Sequence, residues 1–246
     1  MPAPSAPSAP PPVPPVPPMP LYGPHREDCP WCGSRRLRAR SRRAVPGRSV
    51  LARCRDCRHV FRNPSLTSAT EHPSGLAGAG LRHRLAARAI LARCPEPESW
   101  LDVGTGDADF PRIARAYFPY TSFDGLDPTH RVLRARAVER VEEAFVGRLT
   151  DPHIAARLRA RYDVVSLFQQ LERVPDPRAE LRAALHVLRP GGHLLVDVAD
   201  PRRLFVLPPG TSHPAGLRAE LAARGCTVLT GGRAPRVIAR KEASAP

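Results

Sequence analysis

A chain of 246 residues with 42% hydrophobic content can build one full α/β domain and a small accessory module. No apolar run approaches the ~20 residues that span a bilayer, and with no leader pattern at its start the chain reads as cytoplasmic. Of its 38 basic residues all but Lys241 are arginine, for a net charge of +15; beside abundant Ala and Pro this reads as the composition of a GC-rich bacterial genome, so charge alone does not make a nucleic-acid binder.

The elements fall in four segments. Residues 1–25 form a Pro-rich tail, with eleven prolines in the first twenty positions; such a run predicts a disordered or polyproline II segment, and Met19 offers an alternative start. Residues 26–64 are a cysteine-bearing module, with 12 basic against 3 acidic residues over 1–64. Residues 65–98 hold a linker (Ser65–Ala79) and a helix over Leu81–Arg93. The apolar spacing of Leu81, Leu85, Ala89 and Ile90 predicts that this helix packs on the sheet through those residues. Residues 99–246 alternate strand and helix signals. Strands are predicted at 99–103, 122–126, 143–146, 162–168, 193–198, 227–230 and 236–240, and helices at 110–118, 129–141, 152–161, 177–188 and 214–224. Pro111 and Pro152 suit first helical turns, while Gly191-Gly192 and Gly225 are placed just past helix ends. Such alternation predicts a mostly parallel sheet covered on both faces. The last two strands, joined at Gly231-Gly232, are expected to form an antiparallel hairpin.

The cysteines read C-x2-C-x21-C-x2-C: Cys29, Cys32, Cys54 and Cys57. Two knuckles at this spacing supply four thiolates for a tetrahedral zinc ion, with no open position, so the metal would be structural. His59 is a spare ligand, and Cys94 and Cys226 are left as small buried hydrophobes.

The densest signal is WLDVGTGDADF at 100–110, followed by FDGLDPTH at 123–130. A strand ends in Asp102, a turn carries Gly104 and Gly106, and a second strand ends in Asp127 about twenty residues later. This is the βαβ layout of a nucleoside site. Asp109 stands where a pyrophosphate fingerprint needs a third glycine, and carboxylates at 102, 107 and 109 would repel a pyrophosphate. They suit a ligand with ribose, adenine and positive charge, such as S-adenosylmethionine.

With YDVVSLFQQLERVPDP at 162–177 and LRAALHVLRPGGHLLVDVADP at 181–201, the stretch 99–240 resembles the class I S-adenosylmethionine-dependent methyltransferases. The resemblance implies a Rossmann-like seven-stranded, mostly parallel sheet with an antiparallel C-terminal strand. It also implies cofactor contacts from Asp102, Gly104, Thr105, Gly106, Asp127, Pro128, Asp151, Phe168 and Gln169. Asp127 would hold the ribose hydroxyls, and Asp151 would read the adenine amine or else cap the helix begun by Pro152. The chain departs from the family at Ala108, where a third glycine is usual, and at Gln169-Gln170-Leu171-Glu172-Arg173, where two histidines are missing. Gln169 cannot serve as a general base. His130, Asp200 and His213 are alternative bases at strand ends, although loop or capping roles are open for each, and methyl transfer from an activated sulfonium needs a base only when the acceptor must lose a proton.

The cysteine module ahead of such a domain resembles a recurrent bacterial arrangement, some of whose members methylate sugars or natural-product intermediates. Three functions follow for test: a small-molecule methyltransferase whose short 199–213 segment and zinc module help cover the pocket; an RNA methyltransferase that reads RNA with the basic module; and a non-catalytic scaffold. The RNA reading is short of aromatics for base stacking, with only Trp31 and Phe61 in the module.

Overall fold

The computed structural model describes residues 24–40, 50–64, 79–171, 173–198, 210–211, 214–230 and 236–243. The Pro-rich tail, the linker 65–78, Glu172, Asp200, His213, most of the 199–213 segment and the Gly231-Gly232 loop lie outside the described residues. No helix of the described residues is long and apolar enough to cross a membrane.

In chain order the elements are β1 (Leu37–Arg40), β2 (Val50–Cys54), β3 (Val60–Asn63), α1 (Ala79–Leu91), β4 (Ser99–Val103), α2 (Asp109–Ala114), β5 (Ser122–Asp127), α3 (Arg131–Ala137), β6 (Ala144–Val146), α4 (Pro152–Arg157), β7 (Tyr162–Phe168), α5 (Pro177–Val187), β8 (Leu188–Asp197), β9 (Gly210–Thr211), α6 (Pro214–Ala222), β10 (Cys226–Val228) and β11 (Arg236–Lys241). Seven strands form one sheet in the order β10-β11-β8-β7-β4-β5-β6. The pairs β8-β7-β4-β5-β6 are parallel, and β11 runs antiparallel to both β8 and β10. The expected Rossmann-like sheet and its closing hairpin are therefore present.

Local chemistry explains the helix starts. Asp176 caps α5, accepting from the amides of Arg178 and Ala179, and Pro177 follows at the first helical position where a missing N–H costs nothing. The far end of α5 is capped by the chain's lone lysine, whose Nζ donates to the carbonyls of Leu185 and Leu188 at 2.8 and 2.9 Å. The central strand β4 buries four of its five residues, as a strand covered on both faces must.

Two sequence expectations are corrected. The Gly191-Gly192 pair does not end a helix: β8 already begins at Leu188, and both glycines lie inside it at a shift in register against β7. A Cβ on Gly192 would stand 3.0 Å from the Arg189 carbonyl and 3.1 Å from that of Asp163, so close backbone approach requires glycine at 192, while Gly191 has a left-handed φ of +80. The second correction concerns two of the four residues expected on the packed face of α1; Ile90 is buried and Ala89 packs against the core as expected. Leu81 is 63% exposed and Leu85 48%, while Ala86, Ala87 and Ile90 are buried. The small residues let the helix lie near the sheet, and the leucine pair faces outward.

The N-terminal module is an antiparallel sheet, β1-β2-β3, extended by β9 from the far side of the chain, with Phe61 opposite Gly210. Its buried Cys29, Trp31, Cys54 and Phe61 join the same apolar cluster as Leu217 and Leu221 of α6 and Val237 of β11. The module and the large sheet thus share one core.

Candidate functional site

The order of the large sheet reverses between β4 and β7, and ligands bind such sheets in the crevice beyond the carboxyl ends of the strands at that point. The turn after β4 is tied to β5: the amides of Gly104 and Thr105 donate to the Leu126 carbonyl at 2.8 and 3.2 Å. Gly104 has φ +70, and a Cβ there would stand 2.3 Å from the Gln170 side-chain oxygen. Only glycine meets both demands. Ala108, where a third glycine is usual, does adopt a left-handed conformation with φ 56 just before α2. The geometry of the turn is kept even though the residue is changed.

Two acids sit inside this turn. Asp102 is buried, and its two oxygens accept from Ser166 Oγ at 2.6 Å and Thr105 Oγ1 at 2.8 Å; Ser166 Oγ in turn accepts from Trp100 Nε1 at 3.0 Å. Burial pushes its carboxyl up to about 7, against the pull of those two hydroxyls. Asp127, also buried, accepts from the Gly106 amide at 2.9 Å on one oxygen and from the Thr129 amide and hydroxyl on the other, at 2.9 and 2.5 Å. Three of its roughly four acceptor positions are filled, which leaves capacity for a hydroxyl donor. Pro128, next in line, is exposed.

The other two acids of the loop face away. Asp107 pairs with Arg131 and Arg134, and Asp109 with Arg112 and Arg140. The sequence argument that the acids at 102, 107 and 109 suit a cationic ligand is thus narrowed to Asp102, with Asp127 beside it at the end of β5. Residues distant in sequence neutralise the rest, and the Arg131 guanidinium beside Asp107 holds that carboxyl below its ordinary value.

On the β7 side, the Phe168 ring lies 4.5 Å from that of Phe110 and 5.0 Å from that of His83 on α1. Burial lowers the His83 pKa to about 4, so its ring is neutral near pH 7. Gln169 has φ 52 and donates its amide to the Asp197 carbonyl at 2.8 Å. With its side-chain oxygen turned toward α1, it accepts from both terminal nitrogens of Arg82 at 3.0 and 3.1 Å. Asp151 caps α4 through the His153 amide at 2.9 Å and is exposed, which is the capping role that the following proline suggests. His130 is exposed, immediately ahead of α3.

Sequence reasoning missed Ser166, Thr129, Gln170 and Arg82. Thr129 is the one with a local signal, since a threonine two residues after a strand-end acid is placed for a side-chain-capped turn. The others arrive from different elements.

The four module cysteines converge: their Sγ atoms all lie within 4.8 Å of one another. The Cys29–Cys57 and Cys32–Cys54 separations are 3.5 and 3.6 Å, near the ~3.8 Å edge of a tetrahedron with Zn–S bonds of ~2.3 Å. Each knuckle closes by its own backbone bond, Gly33 N to Cys29 O at 2.8 Å and Cys54 N to His59 O at 2.9 Å. Asp56 ties the knuckles together through Ser34 Oγ at 2.6 Å and Arg36 at 2.7 Å. The His59 ring stacks between Trp31 and Phe61, with centroids 5.8 and 5.7 Å away, which is a packing position and not a ligand's. Burial pushes the Cys29 thiol up to about 11 and Cys57 higher still. At Cys54 burial is outweighed by the amides of Cys57 and Asp56, which bring it to about 7. A donor set of four converging sulfurs, two of them held protonated by burial, fits a dication that displaces those protons.

Comparison with known proteins fits this geometry. A methyltransferase domain family model matches residues 78–228. A ubiquinone biosynthesis O-methyltransferase of Serratia proteamaculans is 38% identical over 97 residues, which cover 38% of this chain and 39% of that protein. The corresponding protein of Alkalilimnicola ehrlichii is 31% identical over 96 residues, 39% of each chain. The match thus spans about two fifths of the length of these curated relatives. Among solved structures, a chain from the complex of the Haloferax volcanii Trm112 methyltransferase activator with a methyltransferase superposes with TM-score 0.51 at 19% identity, over 69% of this chain and 93% of that one. The [4+2]-cyclase SpnF superposes at 0.50 with 18% identity, over 65% of this chain and 81% of its own. These structural likenesses show the fold.

Proposed function

Since the chain belongs to the methyltransferase domain family, in its class I S-adenosylmethionine-dependent form, we propose that it moves the sulfonium methyl of S-adenosylmethionine to a small-molecule acceptor, a sugar or natural-product intermediate by class. The observation that carries this reading is the pair of buried carboxylates at the switch-point crevice. In a chain with 37 arginines, Asp102 and Asp127 have hydroxyl and amide donors but no basic partner among the described residues. Such a pair complements a ligand that is cationic and rich in hydroxyls.

The residues divide the work by position. The backbone of Gly104, Thr105 and Gly106 takes the amino-acid portion, with Asp102 fixing the turn from beneath through Thr105. Asp127 and Pro128 flank the ribose. Asp151, which caps α4 through one oxygen, borders the adenine end. Phe168 and Gln169 close the site at β7. Bound S-adenosylmethionine supplies an activated methyl group; the protein's part is to align the acceptor and to exclude water. Cys29, Cys32, Cys54 and Cys57 hold a structural zinc ion, which fixes the module onto α6 and β11.

The RNA reading loses its stacking surface, because Trp31 and Phe61 are both core residues of the module. The test is transfer of labelled methyl from S-adenosylmethionine in an extract of small metabolites and in total RNA. Label in the metabolite fraction alone supports the proposal. Label in RNA alone, or in neither fraction with protein that binds the cofactor, refutes it.

A further inference from the structure

Beyond the turn, the crevice contains a charge that cofactor binding leaves unused. Arg82 of α1 lies across the carboxyl ends of β7 and β8. Its Nε is 3.0 Å from Asp197 Oδ1, and its terminal nitrogens donate to Gln169. Arg236 of β11 takes the other oxygen of Asp197 at 2.9 and 3.2 Å and donates to the Arg82 carbonyl at 3.0 Å. Two guanidiniums therefore share one carboxylate, and the cluster keeps one positive charge. The Asp197 side chain is 3% exposed and that of Arg236 18%, whereas Arg82 retains 33%. Arg82 is the member that can meet a ligand. Two of its terminal N–H groups are directed at Gln169, its Nε is ion-paired with Asp197 without a hydrogen bond, and the other two terminal N–H groups remain for a ligand. His83, the next residue, packs its ring edge-on against Phe110 and Phe168, and an apolar surround of this kind strengthens a charge interaction.

We propose that Arg82 binds the nucleophilic oxygen of the acceptor, and that the acceptor is an acidic hydroxyl compound of the phenol or enol class, methylated as its oxyanion. The inference rests on the methyl-transfer reading above and narrows its acceptor class. Gln169 stands where a base is expected and cannot take a proton. A guanidinium answers the same need differently: it stabilises the conjugate base, so the hydroxyl loses its proton to solvent before attack. The oxyanion's electron pair then forms the O–C bond as the C–S bond breaks with its pair left on sulfur. A negative oxygen and a positive sulfur become a neutral ether and a neutral thioether. A sugar alcohol ionises too weakly for one guanidinium to bring it into range.

The experiment uses full-length, zinc-loaded protein saturated with S-adenosylhomocysteine. The probes are 4-nitrophenol, whose absorbance reports its own ionisation, and 4-nitroanisole, which cannot ionise. The wild type is expected to bind the phenolate in preference to the anisole and to shift the ionisation of 4-nitrophenol to lower pH. Arg82→Gln should lose that shift and bind the phenolate about tenfold more weakly, the worth of one charge-assisted hydrogen bond. Arg82→Lys should keep part of both effects. Both variants leave Asp197 paired with Arg236, and each is assayed at an S-adenosylhomocysteine concentration that saturates it. An unchanged shift in Arg82→Gln, equal affinity for the two probes, or no phenolate binding by protein that binds S-adenosylhomocysteine would each overturn the proposal. A wild type that fails to bind S-adenosylhomocysteine would overturn the methyl-transfer reading beneath it.

Discussion

Asp102 gives the sharpest stability prediction. Its carboxyl ordinarily titrates near 3.8, and burial raises it to about 7. Between those values the folded chain holds a proton that the unfolded chain has lost, so the group's contribution to stability falls as pH rises through that window and stays low above it. Roughly three units at ~1.4 kcal/mol each set a ceiling of about 4 kcal/mol. Asp102→Asn keeps an oxygen for one hydroxyl partner and removes the charge. Recovery of half the ceiling, ~2 kcal/mol, would raise the melting temperature by about 4–8 °C in a domain of this size. Thermal melts of cofactor-free protein from pH 4 to pH 8 should therefore show a gap between variant and wild type that widens up to pH 7 and is then flat. The same variant should bind S-adenosylmethionine about tenfold more weakly, since the cation loses one favourable charge. A pH-independent gap, or a wild type that is the more stable protein at pH 8, would refute the reasoning.

Two further outcomes follow from the packing. Cys54→Ser, or a strong zinc chelator, should remove one zinc per chain by elemental analysis and also lower the melting temperature of the whole protein, because the module shares its core with α6 and β11; a metal-free protein with an unchanged melt would separate the two. Gly104→Ala should cost about 1–3 kcal/mol by denaturant unfolding, since the new methyl group meets Gln170 on a backbone with φ +70, and a cost under ~0.5 kcal/mol would show that the turn yields.

The large sheet was legible because its signals are local. Buried parallel strands read as apolar runs, and the Asp151-Pro152 pair marked a helix start that the structure caps through Asp151. The turn from Asp102 to Gly106 and the cysteine cluster were legible for the same reason, since a fixed spacing there encodes a fixed geometry. What escaped depends on distant partners. Nothing near Asp107 or Asp109 announces Arg131, Arg134 and Arg140, and nothing near Gly210 announces that it pairs with Phe61. Helical periodicity found α1 and the buried position of Ile90, with Ala89 packed beside it, but took Leu81 and Leu85 as inward where Ala86 and Ala87 are, because alanines contribute little hydropathy and yet permit the closest packing. Arg82 was hidden by composition: among so many arginines, only its position over Asp197 and Gln169 sets it apart.

The central claim is that the crevice at the carboxyl ends of β4 and β5 holds S-adenosylmethionine through Asp127. Calorimetric titration of the zinc-loaded protein with S-adenosylmethionine, beside an Asp127→Ala variant shown by its melt to be folded, tests this most directly. The account predicts saturable one-to-one binding that the variant loses by tenfold or more, about 1.4 kcal/mol at the least. Equal binding by both proteins, or none by a well-folded wild type, would contradict it.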